Sequence, residues 1–149
     1  MKFTVVKQED RLDFFPKLVA MDMVTLMMFE NSLYAAISEA TDSYAGGMWE
    51  FIIFENGAMA AVLLDTEETE FELNKDFDCG TTVQVNLQQN YYGGRMSLFS
   101  LSLAVNMLQC SRLSFTKRKS AIALGTNYHL LREALHEYPE YSEIHSFLD

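Results

Sequence analysis

Asn56-Gly57 lies between two runs of β-favouring residues, Trp49-Glu50-Phe51-Ile52-Ile53-Phe54 before it and an apolar run to Leu64 after it. No other stretch constrains the fold as tightly. Asn and Gly both tolerate positive φ, so the pair predicts a type I′ turn joining two antiparallel strands. Along the first strand Trp49, Phe51 and Ile53 point one way and Glu50, Ile52 and Phe54 the other. Both faces are largely apolar, so the ribbon requires cover on each side.

Upstream, Asp42-Ser43-Tyr44-Ala45-Gly46-Gly47-Met48-Trp49-Glu50 leads into that strand. The glycine pair allows a sharp turn or a close backbone approach, and Tyr44 can bury its ring with the hydroxyl at a polar edge. A packing role is the simpler reading, because a chemical site needs convergent polar groups. The motif holds no catalytic constellation.

Along the rest of the chain, residues 2–7 suggest a short strand, and Glu9 to Phe15 a helical turn stopped by Pro16. From Asp22 to Thr41, Leu26, Phe29, Leu33, Ile37 and Ala40 recur at helical spacing, with Asp22 as N-cap. The methionines near the start of this helix, including Met23 and Met27, are read as core filler. Asp65 to Asp78 alternates Phe71 and Leu73 with Glu70, Glu72 and Asn74, predicting an edge strand. Cys79-Gly80 turns into a strand over 81–87, and Asn90-Tyr91-Tyr92-Gly93-Gly94 reads as a loop. Met96 to Ser111 carries no charge and should be the most buried helix, though its serines and Asn106 argue against a membrane span. A further helix from Ser120 shows Ala121, Leu124, Tyr128, Leu131, Leu135 and Tyr138 on one face, and Pro139 suits the first turn of a short last one.

At 149 residues the chain suits one domain, 1–149, with a single core. The N-terminal residues contain no secretory h-region, and Cys79 and Cys110 match free thiols of a reducing compartment, so the expected location is cytoplasmic. The net charge of −10 is unevenly distributed. Residues 1–78 hold sixteen acids and five bases, residues 79–132 six bases and no acid, and residues 133–149 five acids. The acidic run 65–78 invites comparison with a DNA mimic, but a solvated edge strand explains it more simply. The basic run Arg112, Lys117, Arg118 and Lys119 is too small a footprint for strong nucleic-acid binding, and it can equally neutralise the acidic strand or touch an acidic partner.

Other chemistries find little support. His129, Glu133 and His136 share a helical face but match no zinc signature, so no metal is assigned. Neither glycine pair has the spacing of a phosphate loop, and no cofactor is implied. A hydrolase built on Cys79 would need one of the histidines within hydrogen-bond reach.

Tyr44-Ala45-Gly46-Gly47-Met48-Trp49-Glu50-Phe51 followed by Asn56-Gly57 resembles the signature of the antirestriction family of the ArdB and KlcA type, carried by plasmids, phages and other mobile elements. In that family a helix ends in an acidic-aromatic pair and runs through Gly-Gly-aromatic-Trp into a hairpin. Tyr128-His129-Leu130-Leu131-Arg132, Tyr138-Pro139-Glu140 and the closing Phe147-Leu148-Asp149 are similar to the family's last two helices. Met48 replaces a usual aromatic, and Ala58-Met59-Ala60-Ala61 a more aromatic, proline-ended segment.

The residues predict an α+β fold: an antiparallel sheet of about four strands packed with a buried central helix and two or three flanking helices. The resemblance implies a non-catalytic protein that alleviates host type I restriction of incoming DNA. Its partner would be the host type I restriction enzyme or an associated host protein, met through Asp42, Tyr44, Gly46, Gly47, Trp49 and Glu50. Neither nucleic acid nor membrane is expected as a strong partner. The competing reading is an accessory module that docks an unrelated cytoplasmic protein through its acidic edge strand.

Overall fold

The computed structural model describes residues 1–44, 46, 49–86 and 94–149. Gly47, Leu87 and the 90–93 part of the expected loop lie outside them. In chain order the elements are β1 (Lys2–Val5), a 3-10 segment (Gln8–Asp13), α1 (Phe14–Leu18), α2 (Met23–Ala40), β2 (Trp49–Phe54) and β3 (Met59–Leu63). There follow β4 (Glu70–Glu72), β5 (Thr82–Gln84), β6 (Arg95–Ser97), α3 (Leu98–Leu113), α4 (Ala121–Ala134) and α5 (Tyr141–Leu148). The fold is α+β, as its residue pattern predicts.

The main sheet is antiparallel in the order β3-β2-β1-β4. Its fourth strand is therefore the N-terminal β1, while β5 pairs with β6 in a separate two-stranded sheet. The strand expected over 81–87 forms at Thr82–Gln84 and stands outside the main sheet, because period-two patterning identifies a strand but not its partner. Arg95-Met96-Ser97 also continues as strand, and the chargeless helix begins only at Leu98, where the Ser97 hydroxyl caps it by accepting from the Ser100 N–H.

The β2–β3 hairpin forms with Ile53 opposite Met59, but its turn differs from the type I′ expected. The Phe54 N–H donates to the Ala58 carbonyl and the Gly57 N–H to that of Phe54, enclosing the three residues Glu55, Asn56 and Gly57. Gly57 alone takes positive φ, at +92°. The Asn56 side-chain amide ties the turn to α4, since its Oδ1 accepts from the Ala58 N–H while its Nδ2 donates to the Leu130 carbonyl on that helix.

One face of the sheet packs on α3, where Phe3 meets Phe54, Phe71 and Phe99 at ring-centroid distances of 5.5, 5.0 and 5.9 Å. On the other, Phe14 and Phe15 of α1 lie 4.6 and 5.0 Å from Phe51. Cover on both faces thus holds at Phe51, whereas Ile53 stays exposed. Pro16 lies inside α1 without ending it, since the first helical turn requires no N–H from that residue.

Asp22 caps α2 as expected, and Phe29, Leu33 and Ile37 are fully buried, each contributing about 1.5–3 kcal/mol of apolar transfer. Met23, Met27 and Met28 do not join them. All three are exposed, as is Met21, so the core-filler reading is corrected: the stripe that α2 buries runs through Thr25, Phe29, Leu33, Ile37 and Ala40, and the methionines flank it. Leu135 and Tyr138 lie beyond the end of α4 although both are buried, and Pro139 precedes α5, whose first residue is Tyr141.

The two edges of the main sheet are treated differently. Strand β4 is acidic and exposed at Glu70 and Glu72. Strand β3 is closed off by side chains from the helices. Asn127 exchanges two hydrogen bonds with Met59, Asn106 two with Ala61, and the Ser102 hydroxyl accepts from the Leu63 N–H. These polar side chains satisfy backbone groups that an edge strand leaves open.

Candidate functional site

Tyr44 and Trp49 meet where the chain enters β2. The Trp49 Nε1–H donates to the Tyr44 hydroxyl at 2.9 Å, and Tyr34 of α2 packs edge-on against the indole at 5.3 Å. Burial and the neighbouring Glu30 push the Tyr34 hydroxyl above its ordinary range, so it remains a neutral member of this aromatic group.

Glu50 faces a different neighbour. Arg11, from the 3-10 segment, donates to the Glu50 carboxylate at 3.1 Å and to the Trp49 carbonyl at 2.9 Å, with its guanidinium over the Phe51 ring. Of the six residues predicted from sequence, Tyr44 and Trp49 are in direct contact and Glu50 adjoins them through Arg11. Gly46 takes φ +83°, Asp42 is exposed in the preceding turn, and Gly47 lies outside the described residues.

Tyr44 and Gly46 also border a cleft of about 420 Å³, shared with Asp65, Cys79, Gly80 and Leu98. Beside it, Glu140 gathers donors at the N-terminus of α3. Its Oε1 accepts from the Ser97 N–H at 2.8 Å, and its Oε2 from Ser97 Oγ, Ser100 Oγ and Cys79 Sγ at 2.9, 2.9 and 3.1 Å. Burial pushes the Glu140 carboxyl up, but the bonds from Cys79, Ser97 and Ser100 outweigh it and hold the group below the usual carboxylate range. A negative charge there also complements the α3 dipole.

The Cys79 thiol moves the opposite way, raised first by burial and then by its bond to Glu140. A nucleophilic cysteine needs the reverse environment. The three histidines lie elsewhere: His129, His136 and His145 line an open groove with Arg132, Glu133 and Tyr141. The Cys79–histidine pairing that a hydrolase would need is absent. Cys110 is fully buried and pushed up to about 12 by desolvation. Among the described residues, no group of three or more His, Cys, Asp or Glu is arranged to hold a metal ion.

One polar centre escaped the sequence reading. Arg118 Nε and Nη2 each reach an Asp22 oxygen at 2.8 Å, and Ser120 Oγ donates to Asp22 and Thr25. The Arg118 guanidinium holds the Asp22 carboxyl far below the usual carboxylate range. Arg118 alone of the basic run is thus shown neutralising an acid, Asp22 at the start of α2. The cap at Asp22 was legible from its neighbours, but an ionic partner 96 positions away leaves no local signal.

This architecture is that of the antirestriction proteins KlcA and ArdB. Over 99% of the chain and 94% of a solved chain of that kind the TM-score is 0.73, at 21% sequence identity. The KlcA and ArdB proteins show a novel fold and antirestriction activity against type I DNA restriction systems in vivo but not in vitro. Among curated proteins the chain is similar to the uncharacterized protein YafX of Escherichia coli (strain K12), with 25% identity over 146 residues, 98% of this chain and 86% of the relative. No protein-family model matches it.

Proposed function

We propose that this chain, acting as one domain in the cytoplasm, alleviates type I restriction of DNA arriving with a mobile element. It does so by contacting the host restriction enzyme or an associated host protein, without chemistry of its own. The observation that carries this reading is the fold match to KlcA and ArdB along nearly the whole chain. The state of Cys79, protonated against a carboxylate and away from the histidines, supports the non-catalytic part.

The working surface is the exposed part of Asp42, Tyr44, Gly46, Gly47, Trp49 and Glu50. Tyr34 and Arg11 brace two of these residues from behind, which gives the surface a fixed shape before a partner arrives. Phage plating on a type I restricting host tests the reading: expressing the chain raises plating efficiency, and folded Tyr44→Ala and Glu50→Ala variants raise it less. No rise with the parent chain refutes the function. Full protection by both variants moves the surface elsewhere, with β4 and its acidic rim the next place to probe.

A further inference from the structure

The start of α2 and the connection between α3 and α4 together expose an unusual amount of apolar surface. Met21 and Met28 are 62% and 37% exposed, and Phe115 and Ile122 are 85% and 82% exposed. The Asp22–Arg118 ion pair and the two Ser120 bonds hold these stretches side by side. Isolated surface apolar groups need no explanation, whereas a clustered set on two elements locked together does.

The backbone there is also held in a costly conformation. Ala20 and Met21 adopt φ of 51° and 62°, the left-handed region that L-residues seldom occupy. Hydrogen bonds from the Ala20, Met21 and Asp22 N–H groups to Lys17, Pro16 and Val19 maintain it. Strain of this kind persists where the surroundings over-determine it, and it concentrates at functional surfaces.

Charge selects the partner. Between Phe14 and Phe29, and between Arg112 and Arg132, Asp22 is the one acid, and it is buried against Arg118. Lys17, Arg112, Lys117 and Lys119 are exposed. In a chain of net charge −10 this face is apolar and cationic. We propose that it docks an acidic amphipathic segment of a protein partner, with that segment's apolar stripe on the methionines and Phe115 and its carboxylates on Lys117 and Lys119. Methionine side chains adapt to the shape of such a stripe. A nucleic acid would have no use for the methionines, and an anionic bilayer would meet the repulsion of the whole chain. The proposal goes beyond the antirestriction reading and stands whatever the partner's role.

The test uses the full chain and a short fluorescein-labelled Leu/Glu amphipathic helix, titrated by fluorescence anisotropy at low and high salt. A Leu/Lys helix of the same length, a DNA duplex and phosphatidylserine vesicles serve as comparisons. The Leu/Glu helix is expected to bind in a saturable, salt-sensitive way. The double variant Lys117→Glu/Lys119→Glu, and separately Met28→Glu, should each weaken it by roughly tenfold or more. Glu143→Gln should leave binding unchanged. The double variant alters only exposed side chains, so it decides the matter even if Met28→Glu unfolds. Absence of binding, equal binding of the Leu/Lys helix, binding unaffected by the double variant, or tighter binding of the duplex or the vesicles would overturn the proposal.

Discussion

Asn106 pairs with Ala61 as a neighbouring strand would: its Nδ2 donates to the Ala61 carbonyl at 2.6 Å and its Oδ1 accepts from the Ala61 N–H at 3.0 Å. Both residues are fully buried or nearly so, which removes water as a substitute partner. Replacing Asn106 with Leu keeps the forked shape of the side chain and orphans both Ala61 groups. The expected loss is about 2–4 kcal/mol, read as a lower urea midpoint with little change in slope. A midpoint shift smaller than that of a surface substitution would mean that the pairing contributes nothing.

Asp22 makes stability depend on acid in a defined direction. Its carboxyl is held low in the folded protein, so the stabilisation is complete above the unfolded carboxylate value of about 4 and is lost as pH falls through the lower folded value. Asp22→Asn should therefore melt earlier at neutral pH and lose less melting temperature on acidification than the parent. Parallel acid curves for the two proteins would contradict the Arg118 assignment.

Glu140 and Cys79 are linked through one hydrogen bond, and their reactivities should be linked too. Glu140→Gln removes the charge that helps keep the thiol protonated, so Cys79 should react faster with Ellman's reagent at mildly alkaline pH. Cys110 should react only after unfolding, being buried. The same variant presents an amide donor to the Ser97 and Ser100 hydroxyls, and a cost of about 2 kcal/mol is expected. Unchanged thiol kinetics would show that the carboxylate does not act on Cys79.

Gly57 is the one hairpin residue in the left-handed region, and no atom would obstruct a Cβ there. Gly57→Ala should thus cost only the backbone penalty, about 1–2 kcal/mol. Asn56→Ala acts by another route, removing the bonds to Ala58 and Leu130, and it should loosen the packing of α4 on the hairpin as seen by amide exchange.

The elements that depend on near neighbours were readable from sequence. The 49–54 and 59–63 strands, the Asp22 cap and the acidic edge strand follow from alternation, turn residues and capping over a few positions. Features set by distant contacts were not. The turn around Asn56 depends on the Leu130 carbonyl, the partner of β1 on residues 52–54, and the exposure of Met23 and Met27 on which side of α2 meets the core. At the candidate surface, the sequence identified Tyr44 and Trp49 but carried no sign of the Arg11 and Tyr34 braces, which come from elements that show their direction only after folding.

The amides that flank β3 also impose an order on biosynthesis. A ribosome releases Leu63, Ala61 and Met59 well before their partners Ser102, Asn106 and Asn127, which follow 39, 45 and 68 residues later. Throughout that interval a nascent β1–β2–β3 ribbon has a bare rim, able to pair with another emerging chain. Slowing translation between residues 64 and 102 should raise the aggregated fraction, whereas supplying residues 94–149 as a separate polypeptide should lower it.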